Sequence, residues 1–83
     1  MNVTQRKAKI NWNCRRGMLE LDLIFERFLK HLNTLSDEQL TAFEHLLNHP
    51  DPDLYAWLMG YEEPEDREMV EIVEFIRLHD NIR

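Results

Sequence analysis

A loop that cradles phosphate is built from closely spaced glycines, and this 83-residue chain has only two, Gly17 and Gly60. No glycine-rich nucleotide motif can be drawn from them. The single cysteine, Cys14, excludes an internal disulfide framework and fits a reducing compartment. No apolar run approaches the roughly 20 residues of a membrane span, and no signal-peptide core follows the first methionine. A cytoplasmic protein that is not embedded in a membrane is expected. The length suits one small domain, residues 1–83, without room for a deep walled pocket, which argues against an enzyme.

Catalytic and metal-binding groups are equally sparse. Cys14 has arginines beside it but no histidine nearby in sequence to act as its base. It reads as a small apolar residue on a helix face. His45 and His49 have the i, i+4 spacing of a metal pair, but the acid of the zinc-protease helix motif is missing and no third ligand is evident. No metal and no catalytic residue is expected. Trp12 and Trp57 lack the basic field that base stacking on nucleic acid needs and read as packing anchors.

Charge is uneven along the chain. Residues 1–16 carry Arg6, Lys7, Lys9, Arg15 and Arg16 and no acid, a net +5, whereas the remainder carries −11. The acidic remainder would repel phosphate over any extended site, so no nucleic-acid partner is expected. The basic segment is better matched to acidic protein surface.

Periodicity predicts five helices. Thr4 to Asn13 forms the first, with Thr4 as N-cap and Val3, Ile10 and Cys14 on one side. Met18 to Leu32 forms the second, striped by Met18, Leu21, Phe25, Phe28, Leu29 and Leu32. Ser36 and Gln39 make a capping box for the third, Leu35 staples onto Leu40, and Leu40, Phe43 and Leu47 face inward up to the stop at Pro50. The fourth starts with Asp51 as N-cap and Pro52 at the first position, sends Leu54, Trp57 and Leu58 inward, and ends at Gly60. The fifth runs from Glu65 to His79, with Met69, Ile72, Val73 and Ile76 inward and Glu68, Glu71 and Glu74 toward water. No segment alternates with a period of two. The expected fold is all-α, a compact five-helix bundle.

The second helix is unusual. Projected at about 100° per residue, Arg16, Glu20 and Arg27 form a row some 120° from the apolar stripe, flanked by Leu19, Leu23 and Ile24. An exposed Arg16–Glu20 pair would contribute only about 0.3–0.5 kcal/mol, so replacing either residue is expected to leave the fold nearly intact. Contact with a partner explains the row better than stability does. Gly17 has two readings, a turn between helices or a bare backbone that another surface can approach.

Arg16-Gly17-Met18-Leu19-Glu20 matches an R-G-x-x-E pattern, and with Asp51-Pro52-Asp53-Leu54-Tyr55-Ala56-Trp57-Leu58 the chain resembles the SdhE family. These are flavinylation factors of succinate dehydrogenase, also known as YgfY-type proteins or CptB antitoxins. The resemblance covers nearly the whole chain. It implies a monomeric, chaperone-like assembly factor that binds the flavoprotein subunit of succinate dehydrogenase, and of fumarate reductase, and promotes covalent FAD attachment there. FAD would then belong to the client and not be held stably by this chain. The contact residues it implies are Arg16, Gly17 and Glu20, with Asp51, Pro52, Asp53, Leu54 and Trp57 as the second family segment; Arg27 of the charge row and Arg15 are expected at the same partner-binding surface. An alternative of another class is an antitoxin that neutralises a membrane-associated toxin partner.

Overall fold

The computed structural model describes residues 3–80, and the Val3 side chain, expected on the buried side of the first helix, lies outside what is described. Five α-helices and one 3-10 turn make up the described residues, with no strand among them: α1 Val3–Asn13, α2 Leu19–Leu29, the 3-10 turn Leu32–Thr34, α3 Asp37–Leu46, α4 Asp51–Leu58 and α5 Arg67–His79. The expected all-α, five-helix architecture is what is seen.

The stripes meet in one core. Leu21, Phe25 and Phe28 from α2 pack with Phe43 of α3, Leu54 and Leu58 of α4, and Ile72 and Ile76 of α5. Phe43 sits edge-on to both Phe25 and Phe28, with ring centroids 5.9 and 5.0 Å apart. Burying each ring is worth roughly 1.5–3 kcal/mol, with about 0.5–1.5 more for each such pair. Among the described side chains of α1 and the residue after it, Ile10 and Cys14 are the buried ones. Arg6 instead pins that helix to α3, donating to Glu44 and Thr41 at 2.7 Å each. The basic first segment therefore does meet acidic surface of its own chain.

Several boundaries differ from the periodicity. Thr4 lies inside α1 and is exposed, so it is not the residue at the N-cap position. The second helix stops at Leu29, three residues short of Leu32, because Lys30 and His31 tighten to i−3 hydrogen bonds on Arg27 and Phe28. Leu32 stays buried from the 3-10 turn. Pro50, not Asp51, is the N-cap residue of α4, which leaves the Asp51 carboxylate free for another bond. Asp66 caps α5 by accepting from the Glu68 amide, so that helix begins two residues later than expected. Within α5, Glu68 is half-buried and bonds His45, while Glu71 and Glu74 face water. The capping box of Ser36 and Gln39 is present as expected.

Gly60 ends the fourth helix as expected, at φ +80°. Its amide bonds the Trp57 carbonyl and the Tyr61 amide bonds the Ala56 carbonyl, a Schellman pair that turns Tyr61 back over α4. A Cβ on Gly60 would stand 2.8 Å from the Arg77 guanidinium. Gly60→Ala should therefore cost about 1–2 kcal/mol from left-handed strain, more if Arg77 cannot yield. Thermal melts followed by circular dichroism will show this as a lower midpoint with unchanged helix content.

Candidate partner-binding site

Arg16 lies before α2, in the link from α1, and Gly17 at φ +83° separates it from the helix. Arg16 and Glu20 thus do not share one helical face, and the expected pairing between them does not form. The Arg16 side chain turns inward instead. Its Nε donates to Asp51 Oδ1 at 2.7 Å. Nη1 donates to the carbonyls of Asn13 and Leu47 at 3.0 and 2.9 Å, and Nη2 to that of His49 at 2.7 Å. Four of the five N–H groups of the fork are used. Only 15% of the side chain is exposed.

This geometry follows from helix ends. Asn13 closes α1, and Leu47 and His49 follow α3, so their carbonyls have no helical donor and carry the negative end of each dipole. Asp51 sits in the first turn of α4, where a carboxylate is favoured. One guanidinium joins all three ends. The backbone on the other side is fixed as well: the Arg16 amide donates to Asp22 Oδ1 at 2.8 Å, which closes the turn over Gly17. Asp22 had no place in the sequence reading. Its only signal is an acid at the fourth position of a helix whose N-cap, Met18, offers no side-chain acceptor.

The two family segments are thereby brought together, since α4 packs on α2 as well as on α5. Glu20 is exposed on α2, the helix that packs on α4. The Tyr61 phenol, partial burial and Glu20, in that order, push the Tyr55 hydroxyl above its usual range. The two tyrosine rings are tilted together with centroids 6.1 Å apart. Gly17 is exposed, and nothing lies within 4 Å of where its Cβ would be. Arg15 is exposed on the same turn.

The other expected site residues fall elsewhere or serve the fold. Arg27 is engaged by Asp80 just beyond α5, forming two hydrogen bonds to its carboxylate. Leu54 is in the core, Pro52 is exposed and Asp53 is half-buried. Trp57, expected inward, is only partly buried and packs edge-on to His49, with centroids 4.9 Å apart. His45 and His49 diverge, His45 bonding Glu68 and His49 the carbonyl of His45. Among the described residues no three acids, histidines or cysteines gather as metal ligands. Burial pushes the Cys14 thiol up to about 12, against the opposing effect of Arg16, so it is neutral at ordinary pH. No helix of the described residues is long and apolar enough to cross a membrane.

Comparison with known proteins matches this chain to one family. A family model described as flavinator of succinate dehydrogenase matches residues 8–80. The FAD assembly factor SdhE of Legionella pneumophila (strain Lens) is 55% identical over 74 residues, covering 88% of this chain and 92% of that protein. Those of Coxiella burnetii and Yersinia pseudotuberculosis are each 44% identical over 78 residues, covering 93% of this chain and 95% and 89% of those proteins.

The inward course of Arg16 reverses the expectation that its removal is harmless to the fold. Arg16→Ala should destabilise the protein by about 2–3 kcal/mol, since several charge-assisted hydrogen bonds are lost at once. That corresponds to a melting point lower by roughly 10 °C or more. Arg16→Lys should recover only part of the loss, because an ammonium cannot reproduce the fork. Glu20→Ala should melt within a degree or two of the wild type, as judged by the same calorimetric scans.

Proposed function

The chain belongs to the family of succinate dehydrogenase flavinators, and from that premise we propose that it binds the flavoprotein subunit of succinate dehydrogenase and promotes covalent attachment of FAD to it. The same surface serves the flavoprotein subunit of fumarate reductase. The observation that carries this reading is the Arg16–Asp51 bond that joins the Arg16–Glu20 turn, where Gly17 and Glu20 are exposed, to the start of the Asp51–Leu58 helix. Gly17, Glu20 and Arg15 are the contact residues, and Arg16 and Asp51 act through them by fixing the turn.

The chain works as a chaperone-like monomer in the cytoplasm and supplies no catalytic group of its own. Its contribution is preferential binding of the client conformation in which FAD and its attachment residue already lie together. Holding the reacting atoms in register can lower the barrier by several kcal/mol with no acid or base from the factor. FAD remains the client's ligand.

Cells lacking their own factor, supplied with this chain or its variants, provide the test. Flavin fluorescence of the client band on a denaturing gel reports covalent attachment. Wild type should restore the band. Glu20→Ala should leave it several-fold weaker although the protein is folded and abundant. Gly17→Asn, which keeps the left-handed turn but adds a side chain, should act likewise. A normal band with both variants would reject the contact assignment. Wild type failing to restore the band, with a small membrane protein co-purifying in place of the flavoprotein, would transfer this surface to the antitoxin reading.

A further inference from the structure

Five large apolar side chains stand exposed among the described residues: Trp12, Leu19, Leu23, Tyr61 and Leu78. Singly exposed apolar residues need no explanation. Three of these are not single. Leu19 and Leu23 lie one turn apart on α2, on the side away from its buried residues Leu21, Ile24, Phe25 and Phe28, with Glu20 next to them in the chain. Tyr55 belongs to α4, which packs on α2, and its ring lies against that of Tyr61, which is 72% exposed. The Schellman turn at Gly60 holds Tyr61 in that position through its amide bond to Ala56. The exposed apolar residues thus stand on two helices that pack together, from two residues past Gly17 on α2 to the end of α4.

The charges around the patch select what can cover it. Glu20 lies inside it, and Glu62 and Glu63 follow Tyr61 directly, all three exposed. A second copy applied by a two-fold axis would set these carboxylates against their own kind. An anionic lipid surface would be repelled in the same way. A protein surface with an apolar ridge and a neighbouring cation complements both features, and tyrosines flanking a charged group are the usual anchors of such interfaces. We infer that Leu19, Leu23, Tyr55 and Tyr61 form the apolar centre of the surface that docks the flavoprotein subunit, with Glu20 meeting an arginine or lysine of that subunit. The inference rests on the proposed function and extends its contact from the Gly17 turn to the far end of α4.

Titration calorimetry of the apo-flavoprotein subunit of succinate dehydrogenase against the purified factor tests it. Leu19→Glu and Tyr61→Ala alter exposed groups and should keep the wild-type melting point, yet weaken binding roughly tenfold or more each. Leu78→Glu, an equally exposed leucine on α5 outside the patch, should bind as wild type does. Added salt should weaken the wild type more than Glu20→Gln, because that variant has lost the charge pair. Wild-type affinity in a folded Leu19→Glu, Tyr61→Ala double variant overturns this inference and leaves the proposed function standing. Equal weakening by Leu78→Glu overturns it too, as does a wild-type dimer that Leu19→Glu dissolves. A wild-type chain that neither binds the subunit nor raises its covalent flavin overturns the functional reading together with this one.

Discussion

Two helices end where a third begins, and one guanidinium answers the electrostatics of all three ends. The carbonyls of Asn13, Leu47 and His49 project from the negative ends of α1 and α3, and Asp51 adds a carboxylate at the start of α4. Left without donors, these partly buried acceptors would each lose the bond that repays their desolvation. Arg16 supplies that bond to every one of them. Lysine could not, because the task needs a planar fork with donors in several directions. Position and orientation of the α1–α2 turn follow from this one side chain.

A division of labour within the Arg16–Glu20 motif comes from that commitment. Arg16 faces inward and is almost fully used by bonds within the chain. Glu20 faces outward with no ion pair to satisfy it among the described residues, which suits a residue that waits for a cation. Gly17 combines both roles. Its positive φ alone accounts for glycine at the turn, and the open space above it leaves the backbone approachable. Asp51 likewise belongs to the clamp, which gives the acid at the start of α4 a role within the fold itself.

The core was legible because it is written in local periodicity. Leu21, Phe25, Phe28, Leu40, Phe43, Leu54, Leu58, Met69, Ile72, Val73 and Ile76 all took the inward positions their spacing implied. The capping box at Ser36 and the stop at Gly60 were equally local. What stayed hidden was the clamp. Arg16 and Asp51 are 35 residues apart, and no spacing rule links them. The i, i+4 pairing of Arg16 with Glu20 failed because the left-handed glycine between them breaks the helix that the spacing presumed. The tyrosine pair was hidden for a similar reason, since Tyr61 reads as part of an acidic turn until the Schellman geometry returns it to Tyr55. Family resemblance identified the segments, and the tertiary structure shows which of their side chains brace the fold and which stay exposed.

The most direct test of the clamp is a double-mutant cycle on folding stability with Arg16→Ala, Asp51→Ala and both together, by denaturant unfolding of the isolated chain. The clamp predicts a coupling of about 1–2 kcal/mol, with the double variant less destabilised than the sum of the singles. Additivity within about 0.3 kcal/mol would contradict it and return Arg16 to the surface.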